Sequence, residues 1–196
     1  LFFGSHTTTL AYNPSINDTV IPYQVYVADS NIEVQAEYLG ELIGDPQMYE
    51  FTIGADTTLS LRVLQLVGEK EVPFSLIAVK QNNQNAGVVE VGRLKAKDFT
   101  WQKKSDSVLG LSFLESPVFE AKIGPGVYRV EVSTPDNFGS YMLQIGNVEA
   151  KPGYFKTLGD IHQVQSFFGK TIFHMFLSSY VYYPIGIALL SGLIFY

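Results

Sequence analysis

From Ile21 onward the chain alternates between apolar and polar residues with a period of two. Tyr23, Val25 and Val27 alternate with Gln24, Tyr26 and Ala28, and Ile32, Val34, Ala36 and Tyr38 with Glu33, Gln35 and Glu37. Successive side chains of a strand point to opposite faces, so this pattern predicts half-buried strands. Asp29-Ser30-Asn31 supplies a turn between them. Gly40, Gly44, Asp45 and Pro46 break the chain, Tyr49 to Ile53 resumes the alternation, and Gly54-Ala55-Asp56 turns it into Leu59, Leu61 and Val63. Phe74 to Lys80 and Val88 to Leu94 follow, separated by the polar loop Gln81 to Asn85, and then Val108 to Leu114 and Val118 to Ile123. The clearest hairpin comes last, with Val127 to Ser133 and Ser140 to Val148 flanking a turn at Thr134 to Gly139. In it Tyr128, Val130 and Val132 share one face with Tyr141, Leu143 and Ile145 across the turn. About nine or ten short strands, with no amphipathic helix among them, predict an all-β fold, an antiparallel β-sandwich or jelly roll. Pro117, Pro125 and Pro135 fall at strand starts or turns, where a missing N–H does no harm.

After Val148 the pattern changes. Thr157-Leu158-Gly159-Asp160 fits a capping box, and Leu158, Ile161, Val164 and Phe168 recur at helical spacing. Thr171 to Tyr196 then runs without Asp, Glu, Lys or Arg. As one helix it would reach roughly 39 Å at 1.5 Å per residue, against a bilayer core of about 30 Å. The expectation is therefore a single C-terminal transmembrane helix. The chain divides into an extended arm (1–20), a β-sandwich domain (21–149), a linker (150–157), an amphipathic juxtamembrane helix (158–170) and the span (171–196). The chain opens on Leu1, and LFFGSHTTTLA reads as an extended arm with an export signal expected upstream.

Within the span, Tyr180, Tyr182 and Tyr183 precede Pro184, and Ala188 and Gly192 stand four apart. The tyrosines read either as an interfacial belt or as hydroxyls that need partners in a helix bundle. The belt reading leaves 13 residues from Pro184 to Tyr196, too few to cross. The small pair would let another helix approach closely. Tyr180, Tyr183, Pro184, Ala188 and Gly192 are thus the candidate helix-packing residues.

Charge and composition narrow the chemistry. The formal charge is −6; residues 156–196 hold Lys156, Lys170 and Asp160, or +1, which leaves −7 on residues 1–155. Such a domain lacks the clustered cations that phosphate backbones require, so nucleic acid is excluded as a partner. The absence of cysteine excludes disulfides, thiol nucleophiles and cysteine-ligated metals. His6, His162 and His174 form no close-spaced ligand pair, and the pairs Glu69/Glu71, Glu131/Asp136 and Glu115/Glu120 read as solvated faces. No nucleophile elbow, P-loop or dinucleotide fingerprint occurs, so no catalytic residue, metal or cofactor is expected. Asn17-Asp18-Thr19 is a glycosylation sequon, relevant only in a host that glycosylates exported protein.

The stretch Tyr49-Glu-Phe-Thr-Ile-Gly and the hairpin Gly126-Val-Tyr-Arg-Val-Glu-Val … Gly139-Ser-Tyr-Met-Leu-Gln-Ile-Gly146 resemble the pre-peptidase C-terminal β-sandwich of secreted bacterial and archaeal proteins. The resemblance covers residues 47–147 and implies a non-catalytic, extracytoplasmic accessory module. The expectation departs from the family in placing no catalytic domain beside the module within these 196 residues and in an apolar C-terminal stretch. Together these readings give a non-enzymatic, single-pass membrane protein whose extracytoplasmic domain acts as an accessory or scaffolding subunit. The expected partners are the lipid bilayer and other transmembrane subunits. The alternative is a binding module for glycan or an envelope polymer, with Trp101 and nearby tyrosines aligned on an open sheet face.

Overall fold

The computed structural model describes residues 13–19, 21–68, 70–82, 87–149 and 152–195. The expected arm therefore lies largely outside the described residues, as do His6, Glu69, part of the Gln81 to Asn85 loop and of the 150–157 linker, and Tyr196. Among the described residues twelve strands form two sheets. In chain order they are β1 (Pro14–Asn17), β2 (Val25–Val27), β3 (Ala36–Ile43), β4 (Gln47–Ile53), β5 (Thr57–Leu66) and β6 (Ser75–Gln81), followed by β7 (Val88–Leu94), β8 (Gln102–Asp106), β9 (Leu111–Glu115), β10 (Phe119–Ile123), β11 (Gly126–Ser133) and β12 (Phe138–Ile145). The seven-stranded sheet runs β1-β3-β12-β5-β9-β8 with β10 also on β5, and the five-stranded sheet runs β2-β4-β11-β6-β7.

The main core lies between the sheets. Leu59, Leu61, Val63, Tyr141, Leu143 and Ile145 from one meet Tyr49, Phe51, Leu76, Tyr128, Val130 and Val132 from the other, all buried. The period-two reading of the last hairpin holds through this packing. At its centre the Tyr141 hydroxyl lies 2.8 Å from that of Tyr49 and donates to Gln47 Oε1 at 2.7 Å. Burial raises the pKa of both phenols, because the phenolate cannot be solvated there. Tyr141 sits directly over Gly40, where a Cβ would come within 2.5 Å of its ring. Gly40 therefore lies inside β3 and does not break the chain as its residue type suggests.

The seven-stranded sheet buries its outer face as well. In register across β3, β12 and β5 stand Leu39, Met142 and Leu64, an apolar row pointing away from the main core. Helix α1 (Tyr154–Phe167) covers that row with Ile161 and Val164, and Phe168 at its C-cap packs edge-on to Phe113. Two residues along each strand the row is Glu37, Gln144 and Arg62. The same face is thus apolar where the helix lies and polar beyond it.

Several expectations are corrected. The sheets are mixed, not wholly antiparallel, since β1 pairs with β3 and β2 with β4 in parallel. Part of the supposed arm is a strand, held at the β3 edge. The strand expected over Ile32 to Tyr38 begins at Ala36, and Tyr23 adopts a positive φ of 62° in a turn. Helix α1 begins at Tyr154 after Gly153. Thr157 is buried inside it, with its hydroxyl on the Gly153 carbonyl, and Asp160 pairs with Lys156 at 2.7 Å, so the capping box is not used.

The largest correction concerns the C-terminus. Residues 158–196 do not form one helix entering a membrane. Gly169 turns the chain with a φ of 70°, Ile172–Leu177 is a short 3-10 segment, and helix α2 (Ser179–Phe195) starts afresh after Ser178. At 17 residues α2 is about 25 Å long. Among the described residues no helix is long and apolar enough to cross a membrane, so the span over 171–196 is not formed as expected.

Two substitutions test this packing in urea titrations. Tyr128→Ala removes a buried ring whose hydroxyl donates to the Gly124 carbonyl, and should cost about 3–5 kcal/mol. Arg129→Ala, on the opposite face with a half-exposed ion pair to Glu50, should cost no more than about 1 kcal/mol; equal losses would refute the facing. Gly40→Ala should cost about 1–3 kcal/mol by forcing Tyr141 off its partners, and an unchanged midpoint would show that the sheet yields instead.

Candidate functional site

The apolar C-terminal segment is the surface feature that stands out. In α2, Ile185, Ile187, Leu189, Leu190, Leu193 and Ile194 are all exposed, Ile194 by 78%. A helix that is apolar all round is normally buried in something. Around its base, Phe155, Ile172, Phe173, Phe176, Leu177, Tyr182 and Tyr183 are exposed too. No Asp, Glu, Lys or Arg interrupts this surface between Lys170 and the end of the helix.

The base of α2 is held by hydrogen bonds to the β8–β9 turn, Ser107 to Gly110. Ser178 Oγ donates to the Val108 carbonyl at 2.6 Å, and the Ser179 N–H donates to the Ser107 carbonyl at 2.8 Å. Gln165, fully buried in α1, donates to the Leu109 carbonyl at 2.7 Å, and His174 Nε2 lies 3.2 Å from the Gly110 carbonyl. Asp106 shapes the turn by accepting from the Leu109 N–H at 2.9 Å. Gly110 has a φ of 63°, and a Cβ there would lie 2.8 Å from the Leu177 backbone. Only glycine suits both the conformation and the approach.

The residues singled out for helix packing fall into two groups. Tyr180 belongs to the mounting. Its ring stacks on Tyr154 at 5.9 Å, and the Tyr154 hydroxyl donates to the Tyr180 carbonyl at 2.8 Å. Pro184 has no N–H to offer that carbonyl, so the freed acceptor is taken up within the chain. Tyr183, Pro184, Ala188 and Gly192 lie on the exposed part, and a Cβ on Gly192 would meet nothing within 4 Å. Trp101 is half-buried, edge-on to Phe99 at 5.1 Å and packed against the main core. It does not lie flat on an open sheet face.

The other candidates disperse. His162 is exposed on α1, and His174 is engaged in the mounting. Asp136 accepts from the Thr134 hydroxyl within its hairpin turn, and Glu115 accepts ion pairs from Arg62 and Lys104. Among the described residues no group of three or more His, Cys, Asp or Glu is placed to hold a metal ion.

One carboxyl that the sequence reading did not single out is Glu37. Glu37 is fully buried on the outer face of the seven-stranded sheet. Gln35 Nε2 donates to its Oε1 at 2.7 Å, Gln144 Nε2 does so at 3.4 Å, and the Asn13 N–H donates to Oε2 at 2.8 Å. Burial raises its pKa above the usual carboxylate range; the three donors pull the other way without cancelling it. The alternation marks position 37 only as polar; in the fold the Asn13 N–H, just before β1, and the two glutamine amides engage its carboxyl. A folded-state pKa above the unfolded value means that the folded chain holds the extra proton. Its contribution is then full below the unfolded pKa and is lost as pH rises through the folded one. Urea midpoints of the wild type should fall relative to those of Glu37→Gln as pH rises from 4.5 to 8, and parallel profiles would show that Glu37 does not titrate in this window.

No family model matches the chain, and no curated protein matches it either. Among solved structures, the pre-peptidase C-terminal domain of collagenase from Bacillus anthracis is similar, with a TM-score of 0.37 and 17% identity, covering 65% of this chain and 98% of that one. At that score the likeness brings neither a family nor a function to this chain.

Proposed function

We propose that this chain is a non-enzymatic accessory subunit whose β-sandwich is held at a membrane surface by helix α2. The observation that carries the reading is the all-round exposure of an uncharged apolar helix with aromatic side chains gathered at its base. Burying each large aliphatic side chain of α2 would gain about 1.5–3 kcal/mol, which is strong selection for an apolar surrounding. Exposed aromatics at the foot of such a helix suit the boundary between headgroups and acyl chains. At about 25 Å, α2 falls short of a core of about 30 Å, so insertion to the depth of its own length is the form the proposal takes. Scaffolding of other membrane subunits, through Ala188 and Gly192 on the exposed part of α2, belongs to the same proposal. The extracytoplasmic side for the sandwich rests on the motif resemblance to exported accessory modules. Glycan binding through Trp101 finds less support, because that ring is packed against the core and offers no flat platform.

Flotation of the full chain with phosphatidylcholine vesicles tests the reading. The wild type should rise with the lipid, and Leu189→Glu/Leu193→Glu should stay below it, since a charge inside a bilayer costs several kcal/mol. Both positions are exposed and away from the sandwich, so the variant should keep its folded circular dichroism. A wild type that remains with the soluble fraction in the presence of vesicles would overturn the membrane assignment.

A further inference from the structure

The polar half of the outer sheet face forms a recess of about 280 Å³, lined by Gln35, Ser60, Arg62, Lys104, Glu120 and Gln144, among others. That volume lies at the small end of ligand sites. An ordinary solvated strand face would leave its polar side chains exposed. Here Gln35 and Ser60 are buried and Arg62 is about three-quarters covered.

The hydrogen-bonding state of the lining selects the ligand chemistry. Arg62 commits Nη1 to Glu115 Oε2 at 3.0 Å, which leaves the other donors of its fork without a partner among the described residues. Lys104 reaches the same carboxylate oxygen at 3.4 Å. Two cations therefore share one anion at this edge of the recess. Gln35 and Gln144 both spend their Nε2 donors on Glu37. Neither Oε1 accepts a hydrogen bond among the described residues, and neither is sealed from solvent without a partner, so both are acceptors open to the recess. Glu120, on the adjoining strand opposite Ser60, adds an exposed carboxylate. Open acceptors need a ligand with hydroxyl donors, and the free side of the Arg62 fork suits a carboxylate or phosphate oxyanion. Inorganic phosphate meets the second need, but its one or two hydroxyls are too few for the three acceptors Gln35, Gln144 and Glu120. A neutral sugar meets the first and not the second.

We infer that this recess binds a carboxylate-bearing saccharide, a single hexuronate ring, with its carboxylate on Arg62 and Lys104 and its hydroxyls on Gln35, Gln144 and Glu120. The site is independent of α2 and of what surrounds that helix.

Calorimetric titration of the full chain in mild detergent with sodium glucuronate tests it, with glucose and inorganic phosphate as the other arms. Glucuronate should bind at least tenfold tighter than either. Arg62→Gln should weaken it at least tenfold while leaving the melting temperature and vesicle flotation in place. Should Arg62→Gln fail to fold, Lys104→Ala takes its part, as an exposed position where loss of affinity cannot be traced to unfolding. Equal affinity for glucose, tighter binding of phosphate, no heat with glucuronate at millimolar concentration, or full affinity in the folded variant would each overturn the assignment.

Discussion

Burial of the row Leu39, Met142 and Leu64 under helix α1 is the contact on which the rest of the molecule turns. A β-sandwich needs only its two inner faces to be apolar, and the outer faces ordinarily meet water. Here one outer face continues the apolar pattern for a single row, and α1 closes over it with Ile161, Val164 and Phe168. Each of these side chains contributes about 1.5–3 kcal/mol on burial. That closure gives the molecule a second small core and brings the C-terminal segment back onto the sheet, where the β8–β9 turn can bind it. Without it, Gln165 would not reach Leu109, and the hydrogen bonds to Ser178 and Ser179 would have nothing to hold them in place.

The closure also explains how one sheet face carries two characters. Moving two residues along β3, β12 and β5 exchanges Leu39, Met142 and Leu64 for Glu37, Gln144 and Arg62. The polar row cannot be packed by the helix, and it is not simply left to solvent. Glu37 is closed off with its donors in place, which is costly unless every lone pair is served. The arrangement holds the two glutamine amides in fixed orientations, so stability is spent at Glu37 to fix polar groups nearby.

Much of the sandwich was legible because strict alternation accompanies a sheet with one buried face. Tyr128, Val130 and Val132 against Tyr141, Leu143 and Ile145 left little choice of register. Strand β8 was not legible, since Gln-Lys-Lys-Ser-Asp at a sheet edge is polar on both faces and carries no period. Strand β1 is four residues long and begins with proline. Gly40 looked like a breaker because the ring it makes room for is about a hundred residues away in sequence. Contacts 64 and 70 residues apart in sequence hid the break between Gly169 and Ser179 in the same way. No Asp, Glu, Lys or Arg follows Lys170 to mark the break, and the carbonyls that hold the short 3-10 segment belong to a turn near residue 108. Glu37 and the polar row were hidden for a related reason, since cross-strand neighbours are set by register and not by spacing.

The hydrogen bonds between Ser107 to Gly110 and the base of α2 have a mechanical consequence. A domain on a flexible tether samples many orientations, and its faces meet neighbours at random. This sandwich has no slack at that junction, because helix and turn share carbonyls and the glycine at position 110 leaves no gap. Whatever grips α2 therefore also aims the sandwich. Tilting or rotating the helix by a few degrees would swing the far edge of the domain like the arm of a lever, and a neighbour held at a fixed distance would always meet the same strands.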